Sequence, residues 1–284
     1  MEKINTLPSI SISVVSHGQI ELVNHLLNDI KDYCDNTTLE LILTLNIAED
    51  IPFSIESFPF PIKIIKNPHP LGFGANHNQA FKHASGSYYC VLNPDIRFNT
   101  NPFAILITEL NNDRIGVVAP LVLSPDNLIE DSAREFPTPF TILNKALGGH
   151  KGSDYIIKEQ AIYPDWIGGM FMLFPKQIFA QLNGFDERYF LYYEDVNLCA
   201  RLRLLNYEIM LCPTAKIFHH AQRTSHANLK YLRWHLSSMT RYFLSSAFLR
   251  IQYKKWLTKL KPVFKGFNAT DHYSNREAPG TDQK

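Results

Sequence analysis

Apolar residues in the first 123 positions follow two alternating patterns. Short β-branched runs such as ISISVVS at 10–16 predict buried strands, whereas Leu22, Leu26 and Ile30 recur at the spacing of a helix. This alternation is typical of an α/β fold in which a mainly parallel sheet carries helices on both faces. The pattern predicts strands at 10–16, 39–46, 62–67, 87–95 and 115–123, and helices at 19–34, 74–84 and 102–110.

The second half of the chain resumes this pattern after a polar stretch at 124–160 and then changes character. From about Asn228 the sequence is basic, aromatic and helical. We therefore expect an α/β domain at 1–225, a basic aromatic helical extension at 226–267 and a flexible tail at 268–284. Before the extension, the pattern predicts a strand at 166–175, helices at 175–185 and 194–206, and extended chain at 207–220.

Charge is distributed unevenly, although the formal net charge of the 284 residues is only +1. Residues 1–222 hold 16 basic and 24 acidic side chains, and residues 223–270 hold ten basic side chains and no acidic one. This asymmetry suggests an anionic surface as a partner, and the acidic remainder argues against a nucleic acid. Neither a signal peptide nor an apolar run of membrane-spanning length is found, so we expect a cytoplasmic protein. The four cysteines lie far apart without CxxC spacing, which indicates neither a zinc site nor a disulfide scaffold. We therefore expect them to be small buried residues.

Polar side chains follow four of the predicted strands. Open α/β sheets bind ligands outside the carboxyl ends of their strands, so we expect these side chains to form the rim of one cleft. Ordinary turns also place polar residues at strand ends, and the pattern alone leaves both interpretations open. The strand-end residues are Ser16, His17, Asn46, Asn67, Asn93 and Asp95.

Four segments carry candidate chemistry. LGFGAN at 71–76 lacks the full spacing of a dinucleotide fingerprint, but a helix opened there can offer amide groups to a phosphate; a tight turn is the alternative. Asp95 ends an apolar strand, where it can hold a divalent cation or cap a turn. Glu194 and Asp195 begin a helix. There the acids can serve catalysis, or they can simply be favoured by the helix dipole. His219 ends KIFHH, which fits a metal ligand or a structural histidine.

In this order, the segments resemble glycosyltransferase family 2, particularly its bacterial rhamnosyltransferase-like and galactofuranosyltransferase-like members, over roughly residues 8–240. The resemblance implies the nucleotide-sugar-binding GT-A fold, a Rossmann-like α/β architecture with a mainly parallel sheet. The matching segments are SVVSHG (13–18), NPHPLGFGANHNQAF (67–81), ASGSYYCVLNPDI (84–96), WIGGMFMLFPK (166–176), GFDERYFLYYEDVNLCARL (184–202) and KIFHHAQRTS (216–225).

The resemblance also implies roles for individual residues. Asp95 and His219 would hold Mg²⁺ or Mn²⁺, and Asp195 would be the general base of a catalytic pair with Glu194. Two departures from the family pattern stand out: Asn93 replaces the first acid of the metal-binding element, and Leu45 precedes Asn46 where relatives usually have an Asp that contacts the nucleotide base. The implied donor-binding residues are Ser16, His17, Asn46, Asn67, Gly72, Phe73, Asn78, Asn93, Asp95, Gly168 and Gly169.

The implied activity is inverting transfer of a rhamnose-like or galactofuranose-like sugar from a dTDP- or UDP-linked donor. The acceptor would be a hydroxyl of a growing, polyprenyl-diphosphate-linked surface glycan such as O-antigen or capsule. The basic extension would then bind the inner face of the cell membrane, or instead pack on the core or on a second subunit. A catalytically degenerate binding or assembly module is the alternative function, and nucleic-acid binding is disfavoured by the acidic domain.

Overall fold

The computed structural model describes residues 10–149, 152–220 and 229–264, with side chains up to residue 258. The boundary predicted between 225 and 226 and the tail predicted at 268–284 lie outside the described residues. The helices are α1 Ile20–Tyr33, α2 Phe73–Phe81, α3 Phe103–Glu109, α4 Pro139–Ala146, α5 Lys176–Gln181, α6 Glu194–Leu204, α7 Leu229–Phe243 and α8 Ser246–Phe264. The strands are β1 Ile10–Ser16, β2 Leu39–Leu45, β3 Ile62–Lys66, β4 Tyr88–Leu92, β5 Ile96–Arg97, β6 Ile115–Leu123, β7 Ala133–Arg134, β8 Trp166–Ile167, β9 Phe171–Pro175 and β10 Glu208–His219.

Eight strands form one mainly parallel sheet in the order β3-β2-β1-β4-β9-β6-β10-β5, which confirms the predicted fold class. Two strands run against the others: β9 is antiparallel to β4 and β6, and β5 is antiparallel to β10. The predicted strand at 166–175 is two strands, because the chain passes from β8, outside the main sheet, through Gly168 and Gly169 into β9 of that sheet. The smaller pair, β7 and β8, forms a separate antiparallel ribbon.

Helices cover both faces of the sheet, and the side chains of each central strand alternate between two apolar cores. In β4, Cys90 and Leu92 face the core that includes helices α1 and α3, whereas Tyr89 and Val91 face the core that includes α5 and α6. This alternation follows from the two-residue repeat of a strand. Burying a side chain of this size contributes about 1.5–3 kcal/mol, so both faces stabilise the sheet.

The two C-terminal helices contribute side chains to one of these cores. Tyr242, Ala247, Phe248 and Ile251 are buried in the same cluster as the residues of α6. The opposite faces of α7 and α8 remain exposed to solvent. No helix of the residues described here is long and apolar enough to cross a membrane.

A buried ion pair fixes the chain just after β4. The carboxylate of Asp29 on α1 accepts hydrogen bonds from Nε and Nη2 of Arg97 and from the amide of Phe98. Asp29 is almost fully buried, so this bidentate pairing is well shielded from water. It holds the turn at Asn93–Asp95 at the carboxyl edge of the sheet.

Candidate functional site

A cleft of about 600 Å³ opens at the carboxyl ends of the central strands. Its walls include His17 after β1, Asn46 after β2, and Asn93 and Asp95 after β4. Phe73, at the start of α2, also lines it. The structure thus brings five of the predicted donor-binding residues to one cavity, where parallel α/β sheets bind ligands.

Amide side chains stabilise the wall of the cleft beside β2. Asn46 Oδ1 accepts hydrogen bonds from the Leu71 amide (2.7 Å) and from Asn67 Nδ2 (2.9 Å). Asn67 Nδ2 also donates to Asn76 Oδ1 at 2.7 Å, and Asn76 Nδ2 donates to the Gly72 carbonyl at 3.0 Å. This network fixes the chain between β3 and α2, so Asn67 acts from behind the cleft wall.

Asp95, which lines the cleft, contacts His219 at the end of β10, although the two residues are 124 positions apart in the chain. His219 Nε2 lies 3.2 Å from Asp95 Oδ2, and His219 Nδ1 lies 2.7 Å from Glu130 Oε2. Burial lowers the pKa of His219, but the neighbouring carboxylates of Asp95 and Glu130 outweigh it and raise that pKa to about 9. The side chains therefore form a chain of three groups, with His219 in the middle.

This arrangement fits a divalent cation bound by two protein groups. Asp95 Oδ1 is buried and has no hydrogen-bond partner among the described residues, so one carboxylate oxygen is available as a ligand. Glu130 holds the far nitrogen of His219, which leaves Nε2 facing Asp95. Within the described ranges, no group of three or more His, Cys, Asp or Glu side chains could hold a metal. The remaining ligands would come from a diphosphate and water, as is common for Mg²⁺.

The second acidic centre begins α6 and follows a strained backbone. Tyr192 and Tyr193 both have left-handed φ angles, 70° and 66°, which non-glycine residues seldom adopt. The neighbouring structure holds them there: both rings contact His235 of α7, at centroid distances of 5.3 and 5.4 Å. Such strain is often found at functional sites, and here it sets the direction of Glu194 and Asp195.

The two acids differ in surroundings. Asp195 accepts hydrogen bonds from the amides of Gly169 (3.1 Å) and Val196 (2.8 Å). Burial raises the pKa of Asp195 to about 6, although both amides lower it. Burial, and then the charge of Asp195, raise the pKa of Glu194 well above its ordinary value. Asp195 is therefore a base that can accept a proton near neutral pH, whereas the deeper burial of Glu194 favours its neutral form.

The remaining predicted donor-binding residues do not line the cleft. Ser16 Oγ donates to Glu49 at 2.9 Å, Asn78 is hydrogen-bonded to the backbone of Phe185, and Gly169 supports Asp195. Gly72 sits against Phe190, where an added Cβ would lie 2.7 Å from the carbonyl oxygen. Gly168 donates its amide hydrogen to the Ser132 carbonyl.

Sequence reasoning missed several residues of the site. Glu130 lies in the stretch at 124–160, whose polar pattern carried no signal that it would meet His219. Glu49 accepts hydrogen bonds from Ser16 and from the amides of Gly18 and Ile20, so it fixes the turn after β1. Lys230, Tyr231 and Trp234 line the cleft from α7. Their aromatic and basic character is visible in the sequence, but their location is not.

Comparisons with known proteins give two family matches and similar sequences. The family model described as glycosyl transferase family 2 matches residues 11–164, and the one described as the N-terminal domain of galactosyltransferase matches residues 155–240. The chain is 30% identical to rhamnosyltransferase WbbL of Escherichia coli over 81% of its own length and 91% of that protein. It is 30% identical to the N-acetylglucosaminyl-diphospho-decaprenol L-rhamnosyltransferase of Mycobacterium tuberculosis over 46% of each chain.

A similar fold occurs in the crystal structure of GalNAc-T7 with UDP, GalNAc and Mn²⁺. The TM-score is 0.64 at 13% sequence identity, and the match covers 94% of this chain and 53% of that one.

Proposed function

Since this chain belongs to glycosyltransferase family 2, we propose that it transfers rhamnose from a nucleoside-diphosphate donor to a hydroxyl group of a lipid-linked glycan. The relatives at 30% identity support rhamnose over galactofuranose, because both are named as rhamnosyltransferases. The diphospho-decaprenol acceptor named for one of them supports a polyprenyl-diphosphate-linked acceptor. The observation that carries the proposal is the contact between His219 and Asp95, which lines the cleft at the carboxyl edge of the sheet.

The donor would lie along the strand-end wall. His17, Asn46 and Asn93 present polar groups to the nucleotide, and Phe73 closes the cleft beside them. Asp95 and His219 would hold a divalent cation, Mg²⁺ or Mn²⁺, at the diphosphate. When bound, such a cation neutralises charge on the leaving nucleoside diphosphate. The structural neighbour contains UDP and Mn²⁺, which supports a divalent cation as the cofactor.

Asp195 would act as the general base. Its carboxylate takes the proton of the acceptor hydroxyl while that oxygen attacks the anomeric carbon. The bond from the anomeric carbon to the phosphate oxygen breaks, and the electron pair leaves with the nucleoside diphosphate. A single displacement inverts the anomeric configuration. A positioned base of this kind contributes about 10²- to 10⁴-fold to the rate.

The exposed face of α7 and α8 would bring the enzyme to its lipid-linked acceptor. Residues 229–264 contain eight basic side chains and no acidic one. Leu232 on α7 and Leu249 on α8 are exposed, as is Leu244 in the turn between the two helices. Basic and apolar side chains on one surface favour an anionic lipid interface, at about 1 kcal/mol for each basic residue near it. We accordingly place the domain boundary near residue 225 and assign the two helices to membrane contact as well as to packing.

A panel of nucleotide sugars tests the proposed donor and chemistry. Purified protein is incubated with dTDP- and UDP-linked sugars and Mg²⁺ or Mn²⁺, and donor binding and slow donor hydrolysis are measured with and without chelator. We expect dTDP-rhamnose to bind and to be hydrolysed only when the cation is present. Asp95→Asn should show little binding or hydrolysis, whether or not the cation is added. Binding that is indifferent to chelator would contradict the assignment of Asp95.

Vesicle flotation tests the membrane contact. We expect the protein to float with vesicles that contain anionic lipid and to float less when Leu244→Glu places a charge on the exposed face. Leu128→Glu is a matched control, since Leu128 is also exposed but lies far from these helices in the chain. A protein that binds neither neutral nor anionic vesicles would refute the membrane contact and leave the catalytic proposal standing.

A further inference from the structure

The cleft has a second wall that the proposed donor does not use, and this wall is aromatic. Phe190 and Trp234 stack with ring centroids 4.5 Å apart and an interplanar angle of 27°. Tyr231 contacts the edge of Trp234 at 5.3 Å. All three residues line the cleft, and Phe190 is 36% exposed, so the pair presents apolar ring surface to whatever the cleft binds.

This wall is held rigidly in place. The Phe73 amide donates to the Phe190 carbonyl at 2.9 Å, and the Cα of Gly72 packs so closely on Phe190 that a side chain has no room. On the other side, the buried Ser238 of α7 donates from Oγ to the Leu191 carbonyl at 2.8 Å. The aromatic pair therefore joins α7 to the loop that leads into Asp195, and it is ordered before any ligand arrives.

A cation and an apolar surface continue from the aromatic wall. Lys230 lines the cleft and places Nζ 4.8 Å from the centroid of the Trp234 ring. On the adjacent face of α7, Leu229, Leu232 and Leu236 are 81%, 53% and 48% exposed and line a shallow groove. Ring surface, positive charge and aliphatic surface thus follow one another outward from the cleft.

We propose that Phe190, Trp234 and Lys230 form the acceptor subsite: the aromatic pair supports the saccharide ring of the acceptor, and Lys230 binds its diphosphate. The C–H face of a sugar packs well on an aromatic ring, and an ammonium group suits a diphosphate at an exposed edge. The lipid chain would then run along the leucine face of α7. This inference rests on the proposed function, because it takes the strand-end wall as the donor side.

The position of the wall relative to the base supports the acceptor over the donor as its occupant. Phe190 lies five residues before Asp195, and the strained turn at Tyr192 and Tyr193 directs the chain from one to the other. Phe73 also connects the aromatic pair to the base: its amide donates to the Phe190 carbonyl, and its ring lies against Gly169. The Gly169 amide in turn donates to Asp195. The opposite wall, with His17 and Asn46, supplies the polar groups that a nucleotide needs.

Acceptor kinetics test the aromatic wall. The probe is N-acetylglucosaminyl diphosphate carrying a short alkyl chain, assayed in solution with dTDP-rhamnose and Mn²⁺ at varied probe concentration. We expect Trp234→Leu to raise the KM for the probe about tenfold, which corresponds to about 1.4 kcal/mol, near the upper end for one aromatic contact. Trp234→Phe keeps a ring and should stay within about threefold of the wild type, as half of that contact would be lost at most. Trp256→Leu is the matched control, because Trp256 is a 55% exposed tryptophan on α8 outside the cleft.

A second variant tests the charged part of the subsite. Lys230→Gln should raise the KM for the diphosphate probe but leave unchanged the KM for a neutral alkyl glycoside of the same sugar. In contrast, Trp234→Leu should raise both. An equal rise in the KM for both probes in Lys230→Gln would show that Lys230 does not bind the diphosphate.

Donor hydrolysis separates this inference from the proposed function. Transfer of the donor sugar to water needs no acceptor, so Trp234→Leu should raise the KM for the acceptor probe by a larger factor than the donor KM measured in this hydrolysis. A donor KM raised as much as the acceptor KM, or an unchanged KM for both probes, would overturn the acceptor subsite while the transferase activity stands. A wild-type protein that neither binds nor hydrolyses any nucleotide sugar would overturn the proposed function and this subsite with it.

Discussion

The raised pKa of Asp195 predicts how transfer depends on pH. Only the ionised carboxylate can take the proton of the acceptor hydroxyl, and burial raises the pKa of this group to about 6. We therefore expect kcat/KM to fall about tenfold for each pH unit below 6. The assay is transfer to a soluble acceptor between about pH 4.5 and 8, over which an unperturbed aspartate would stay largely ionised.

The same shift predicts a change in stability with pH. An acid whose pKa is higher in the folded state binds its proton more tightly when folded. Its contribution to stability is therefore fully present below about pH 4 and is lost as the pH rises through about 6. The change from 3.8 to about 6 for Asp195 corresponds to roughly 3 kcal/mol in the free energy of unfolding.

This magnitude is best measured as a difference between two variants. Burial raises the pKa of Glu194 well above its ordinary value, and Glu194→Gln keeps a neutral side chain of similar size at that position. In that background only Asp195 of the pair titrates. The quantity to compare is the free energy of unfolding of Glu194→Gln minus that of the double variant that also carries Asp195→Asn. We expect this difference to decrease by roughly 3 kcal/mol from pH 4 to pH 7. Urea denaturation at several pH values with chelator present gives this difference.

Two results would refute the reasoning. A difference between the two variants that is independent of pH would show that Asp195 is not held in a desolvated site. An acidic limb near pH 6 that disappears in Glu194→Gln and persists in Asp195→Asn would assign the base to Glu194 instead. Transfer reduced about 10²- to 10⁴-fold in Asp195→Asn, with donor binding intact, is the result that agrees with the proposed role.

Three further predictions follow from contacts around the site. Glu130→Gln should weaken Mn²⁺ binding about tenfold by calorimetry in the presence of dTDP, because it loosens the orientation of His219; unchanged affinity would contradict that role. Asp29→Asn should lower the free energy of unfolding by about 2 kcal/mol in urea titrations, since it weakens the shielded pairing with Arg97, and a loss below experimental error would show that the pair is solvated. Tyr242→Phe should leave the free energy of unfolding unchanged or raise it by up to about 1 kcal/mol, because the buried hydroxyl has no hydrogen-bond partner in the described part of the chain; a marked loss would reveal one.

The sequence by itself determined the local elements and the class of fold. Apolar periodicity depends on neighbouring residues, so it placed β1, β6 and α1 within a residue or two of their observed bounds. Since parallel strands end at a common edge, the same pattern also identified His17, Asn46 and Asp95 as residues that meet there.

Only the tertiary structure decided which distant residues act together. Glu130 is 89 residues from His219, and no local pattern encodes a contact that depends on how β10 and the polar stretch fold back on the sheet. The antiparallel direction of β9 was likewise hidden, because a fully buried strand is apolar throughout whichever way it runs. The aromatic and basic residues of α7 were evident in the sequence, but packing of that helix against the loop before Asp195 is what brings Trp234 into the cleft.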